Sequence, residues 1–304
     1  MIAAHFPNRP KLTEFLGTQL RSGRLALFLG SGISMKLATG DDGLLMGLPD
    51  WPTLMNNLYA IKELPPTIYT KNTNFPQVAE DFRLQHCNGN NGYWLDCVSK
   101  ALYAGGDLDF SLIRKNGTLE AIGALVRTSL RGAVSEIVTL NFDDVLDRYL
   151  AIHGIVVVPT FEEKCWASRG DIVIYHPHGF LPSPGSCFQP ASSFVVLDRS
   201  SYSKSAPIMN QKMKLVMQSH ICLFIGLSGE DERLDKLIWE TKDEGNHAYN
   251  TSQTGYWGVA FSASYNQAKA RKWEERRIYL QKLDDYHTDL PNFLFEICQS
   301  AASR

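Results

Sequence analysis

Short apolar runs in which polar positions fail to alternate punctuate the chain. The clearest is LALFL at residues 25–29. Five apolar side chains in succession do not suit a strand with one wet face, so the run reads as a strand buried on both sides, as in the centre of a parallel sheet. Comparable runs, rich in β-branched residues, recur at 136–140, 172–175, 221–225, 256–261 and 277–280. Segments of helical spacing separate them. Thr118 is placed to cap a helix through LEAIGALVRTSL, and residues 142–153 close on Gly154. Asp231 opens a helix through Ile238 and Lys242 that stops at Gly245, and Thr288 caps a last helix through Phe293 and Ile297. Strands alternating with helices predict an α/β fold built on a doubly wound, mostly parallel sheet.

Between the first strand and the one at 136–140, helical patterns dominate, at 51–61, 76–86 and 93–103. A single crossover helix needs far less chain. Residues 50–131 are therefore expected to form a helical subdomain inserted between the first two core strands of a single domain spanning 1–304. The stretch PHGFLPSPGSCFQPASS, 177–193, is rich in Pro, Gly and Ser and reads as an ordered surface loop.

Composition mainly excludes. With 30 Lys+Arg against 32 Asp+Glu the formal charge is -2, so bulk electrostatics give no reason to expect nucleic-acid binding. No apolar run approaches the roughly 18 residues of a membrane span, and MIAAHFPNRP lacks the basic start and apolar core of a signal peptide. The expectation is a soluble, cytoplasmic protein without membrane association. Cys87, Cys97, Cys165, Cys187, Cys222 and Cys298 form no C-x-x-C pair and have no histidine at zinc spacing, which predicts neither a structural metal site nor disulfides.

The chemistry begins where the first strand ends, at Gly30-Ser31-Gly32-Ile33-Ser34. In open α/β sheets ligands bind beyond the carboxyl ends of the strands, and a glycine turn brings backbone N–H groups close to a phosphate. Common versions of the motif fail. The phosphate loop G-x-x-x-x-G-K-[ST] is absent, Met35 stands where G-x-G-x-x-G needs its third glycine, and Gly226-Leu227-Ser228-Gly229-Glu230 is not the G-x-S-x-G of a nucleophile elbow.

Another set of motifs resembles the sirtuin family. Its opening Gly-Ala-Gly-x-Ser and Gly-Ile-Pro are similar to residues 30–34 and to Gly47-Leu48-Pro49-Asp50-Trp51. Its Thr-x-Asn-x-Asp looks like Thr139-Leu140-Asn141-Phe142-Asp143, and its His-Gly looks like His178-Gly179. The distal pattern of its bacterial branch looks like Gly226, Ser228, Asp231, Leu234 and Asp235. The resemblance covers roughly 20–290 and departs from protein-deacylating members in lacking paired zinc cysteines, in a longer spacer from Ser34 to Gly47, and in Trp51. These departures are similar to the sirtuin-like effectors of bacterial antiphage defence. The resemblance implies a Rossmann-like fold without a zinc module, with NAD as substrate, hydrolysed to ADP-ribose and nicotinamide so as to deplete the cell. It also implies control by self-assembly as a homo-oligomer or by a partner such as a helicase-like ATPase or an argonaute-type protein.

Cleaving the nicotinamide–ribose bond requires holding the ribose, shielding a cationic centre and orienting a water. The expected assignments are backbone N–H groups of Gly30, Ser31, Gly32 and Ile33 for the pyrophosphate, and the Ser34 hydroxyl near the ribose. Thr139 belongs to the same site, Asn141 can hydrogen-bond a water or a ribose hydroxyl and by the resemblance positions the attacking water, Asp143 orients the Asn141 loop, and His178 is the general base. Gly226, Ser228 and Asp231 hold the adenosine half, and Trp51 closes over the nicotinamide. Each has a plainer rival. Asn141 and Asp143 suit a helix N-cap, as do Ser228 and Asp231; His176 competes with His178; and Trp51 suits aromatic packing. Two other functions stay open: an NAD-dependent protein deacylase or ADP-ribosyltransferase, and a non-catalytic module sensing NAD or ADP-ribose.

Overall fold

The computed structural model describes residues 8–39, 45–70, 73–103, 108–127, 132–161, 170–190, 193–204, 207–229, 231–249 and 255–303. Cys165 and Glu230 lie outside them. In chain order the framework runs α1 (Arg9–Arg21), β1 (Leu25–Leu29), a 3₁₀ turn (Ser31–Ile33), and the short strands β2 (Ala38–Thr39) and β3 (Leu45–Met46). Helices α2 (Trp51–Ala60), α3 (Phe75–His86), α4 (Asn91–Tyr103), α5 (Phe110–Ile113) and α6 (Gly117–Val126) precede β4 (Glu136–Thr139). Then come α7 (Val145–Ile152), β5 (Val157–Thr160), β6 (Ile172–Tyr175), β7 (Gly179–Phe180), β8 (Phe194–Val195), α8 (Arg199–Lys204) and α9 (Pro207–Ser219). The chain closes with β9 (Ile221–Ile225), α10 (Glu232–Tyr249), β10 (Gly258–Ser262), α11 (Gln267–Glu275), β11 (Ile278–Lys282) and α12 (Asp289–Ala302).

The strands form the expected parallel sheet, ordered β11-β10-β9-β1-β4-β6-β5. β1 lies between β4 and β9, with Leu29 level with Thr139 on one side and Ile225 on the other. All five of its side chains are buried because the sheet carries a core on each face. Leu25, Leu27 and Leu29 point into the larger core, shared with α1, α2, α4, α6 and α12, while Ala26 and Phe28 enter the second, under α9, α10 and α11. Among the described residues no helix is long and apolar enough to cross a membrane, and no cluster of three or more metal-ligating side chains occurs.

Several element ends differ from the sequence reading. Asn116, not Thr118, caps α6 by accepting the Leu119 N–H at 2.9 Å, and Thr118 is buried inside the helix. α7 starts at Val145 rather than 142, because residues 141–144 are occupied by the site loop. α10 continues past Gly245 to Tyr249; a glycine within a helix weakens it without ending it. Thr288 is the N-cap residue of α12 but its hydroxyl donates to Asp285 instead of capping. The 177–193 loop is not wholly superficial: Phe180, Leu181, Ser183 and Ser186 are buried.

Candidate active site

The site is built at the carboxyl ends of β9, β1, β4 and β6, where strand order changes direction about β1. Two glycine loops meet there. The Gly32 N–H donates to the Gly226 carbonyl at 3.0 Å, and the Gly30 N–H to Ile225 at 2.9 Å. A side chain on Gly32 would place Cβ 2.8 Å from the Gly226 Cα, and one on Gly30 would meet the Gly226 carbonyl at 2.6 Å. The glycines are thus required by the approach of one loop to the other. Of the four N–H groups expected at a pyrophosphate, that of Ile33 also donates to a protein carbonyl, Gly30 at 3.2 Å. Ser31 and Ser228 are the exposed members of these touching loops. Beneath them the hydroxyl of the half-buried Tyr286 accepts the Gly226 N–H at 2.5 Å, a support from the β11–α12 connection that no motif signalled.

From β4, Thr139 Oγ1 accepts the Asn141 N–H at 3.2 Å and sets the turn that aims Asn141 at the first glycine loop. The Asn141 amide donates to the Gly30 carbonyl at 3.3 Å and to Ser34 Oγ at 3.2 Å. Ser34 in turn donates to Asp143 Oδ1 at 3.2 Å, and the same oxygen accepts the Val145 N–H at 3.0 Å. Asn141, Ser34 and Asp143 therefore form one buried chain linking β1 to β4. With both its hydrogens directed at protein acceptors, Asn141 offers Oδ1, which suits accepting from a water or a hydroxyl. Burial raises Asp143 to about 7, because a carboxylate away from water resists ionisation.

His178 follows β6. Burial lowers its pKa, and Arg233 adds to this while Asp231 opposes it, so a neutral imidazole is favoured near pH 7. Its ring donates to the Leu140 carbonyl, the residue before Asn141, which joins the two loops. Nε2 lies 3.6 Å from Asp231 Oδ2. Asp231 thus stands at His178 while also capping α10, its Oδ1 accepting the Leu234 N–H at 2.7 Å. Arg233, from the first turn of α10, donates to the Pro177 carbonyl at 2.9 Å and grips the same loop. The far side of that loop is pinned by Leu181 N–H to the Phe142 carbonyl, Val196 N–H to the His178 carbonyl, and Tyr103 Oη to the Leu181 carbonyl.

Of the remaining candidates, His176 is fully buried behind Asn141 and is separate from the His178 position. Trp51, half-buried at the start of α2, stacks on Phe75 with ring centroids 5.7 Å apart, a packing contact. The segment before it is tied to the site, since the Leu48 N–H donates to the Ser34 carbonyl at 2.7 Å.

No curated protein matches the chain. Residues 135–281 match the family model described as a SIR2-like domain, a span that contains the Asn141, His178 and Gly226 loops and follows the first glycine loop. This match supports a sirtuin-like family for the chain and, with it, NAD-related chemistry in general.

Proposed function

We propose that the protein is an NAD hydrolase that cleaves the nicotinamide–ribose bond to give ADP-ribose and nicotinamide. The observation that carries this reading is the joining of Asn141 and His178, through the Leu140 carbonyl, beside paired glycine loops at the carboxyl edge of the sheet.

In this mechanism the C–N bond breaks with its electron pair going to the nicotinamide ring nitrogen, and the anomeric carbon gathers positive charge. Asn141 Oδ1 accepts a hydrogen bond from the attacking water and holds it on line. The water oxygen bonds to the anomeric carbon, and its proton passes to His178 Nε2, where the Asp231 carboxylate at 3.6 Å stabilises the imidazolium formed. The proton then leaves to solvent, and the overall reaction consumes one water and releases one proton.

We further propose that an activity able to drain NAD is held in check by self-assembly or a partner chain, and that its setting is antiphage defence; both rest on the motif resemblance. The test is NAD consumption across a protein concentration series, with products separated by chromatography, beside Asn141→Ala and His178→Ala. The expected result is ADP-ribose and nicotinamide from the wild type and from neither variant, with specific activity rising with concentration. Turnover only in the presence of an acyl-lysine peptide would replace the hydrolase with a deacylase. Nucleotide binding without turnover at any concentration would favour a sensing module.

A further inference from the structure

His176 sits directly behind the site loop, with Nδ1 3.0 Å from the Asn141 carbonyl oxygen and Nε2 3.2 Å from Asp147 Oδ1. A carbonyl can only accept, so Nδ1 carries a proton. The second nitrogen faces a carboxylate, and one further proton lies between them, giving a pair of zero net charge wherever that proton resides. Both residues are 0% exposed, and Asp147 Oδ2 meets no hydrogen-bond partner among the described residues. Phe180 packs edge-on against the imidazole with ring centroids 4.8 Å apart. Burying such a pair is expensive and stabilises little by itself. Its geometric effect is specific, because among the described residues the backbone atom that these two side chains grip is the Asn141 carbonyl oxygen.

We propose that His176, braced by Asp147 on α7, is a positioning residue for Asn141: it fixes the Asn141 peptide from behind so that the side-chain amide stays aimed at the Gly30 and Ser34 loop. This rests on the hydrolase reading for its effect on rate, but not for its effect on Asn141 itself. The logic is that of a supporting hydrogen bond behind a reactive group, where small displacements cost large factors.

The experiment compares wild type, His176→Phe, His176→Gln and Asp147→Asn by NAD turnover and by the side-chain amide NMR signals of Asn141, assigned through Asn141→Ala. Thermal unfolding verifies that each variant is folded. His176→Phe removes both hydrogen bonds and is expected to shift the Asn141 amide signals and lower kcat about 100-fold, with KM within about threefold. His176→Gln, which keeps a donor for the carbonyl, should recover part of both effects. Asp147→Asn should move the signals in the same direction by less, and supplies the answer if His176→Phe does not fold. Unmoved Asn141 signals in a folded variant would overturn the proposal, as would a rate loss that only follows the folded fraction. If the wild type itself turns over no NAD, the hydrolase reading fails while the Asn141 signals still decide whether His176 positions that residue.

Discussion

The Asp231 carboxylate serves two elements at once, with Oδ2 3.6 Å from His178 Nε2 and Oδ1 accepting the Leu234 N–H at 2.7 Å. Asn at this position keeps the cap and removes the charge. Asp231→Asn should therefore leave thermal stability nearly unchanged while lowering NAD turnover about tenfold, the effect of withdrawing roughly 1.4 kcal/mol from a charge-stabilised step. A pH–rate profile should place the alkaline-active limb at lower pH in the variant, because the carboxylate favours the imidazolium; an unmoved limb would remove Asp231 from that role.

Asp143 gives the fold a pH dependence. Its pKa rises from 3.8 to about 7 on folding, chiefly through burial, so between these values the folded state binds more protons than the unfolded one and stability falls as pH rises. His176, raised because Asp147 more than offsets burial, acts in the same sense above its ordinary value; His178, lowered by burial, acts in the opposite sense below it. Asp143→Asn retains an acceptor for Val145 and Ser34 and isolates the first contribution. Its melting temperature relative to wild type should be more favourable at pH 8 than at pH 5. Equal differences at both pH values would exclude Asp143 as the source.

The contact between glycine loops leaves no room for a methyl group. In Gly32→Ala the new Cβ meets the Gly226 backbone on both the Cα and carbonyl sides, at 2.8 and 3.1 Å. Relief requires the loops to separate, and the expected cost is about 1–3 kcal/mol in chemical denaturation, with loss of ADP-ribose binding by calorimetry. Gly179 is more constrained, since its φ of +92° suits glycine and a Cβ would lie 2.0 Å from the Phe194 carbonyl. Gly179→Ala should be poorly folded.

Tyr286→Phe deletes the acceptor for the Gly226 N–H and little else. A cost of about 1 kcal/mol is expected in urea unfolding. A larger fractional loss should appear in ADP-ribose affinity, because the substitution releases a loop that carries Ser228. Unchanged affinity would remove Tyr286 from any part in binding.

Much of the framework was legible because burial writes itself into composition. Strands 172–175 and 221–225 stand where the apolar runs end, and β1 is fully apolar because a core lies on each face. β5 was missed since VVPT is short and contains Pro159, which reads as a strand breaker but is tolerated on this sheet edge. α1 and α9 escaped because their apolar positions are sparse and spaced among polar ones. In the site, the residue types at each strand end were readable, but their pairing was not. Nothing in DERLD says that Asp231 faces His178, nor does YHPHG reveal that His176 turns inward to Asp147 while His178 turns to Asp231. Those relations depend on how separate loops register in space.

The hydrogen bond from Gly32 to Gly226 joins the beginning of the chain to its last third. Neither loop can be completed until β9 has docked beside β1. A contact closed over so long a stretch of chain forms late and slowly. A ligand that spans both loops would accordingly clamp the fold against unfolding and proteolysis, and a fragment ending before β9 would retain the Asn141 and His178 signatures yet lack the second glycine loop.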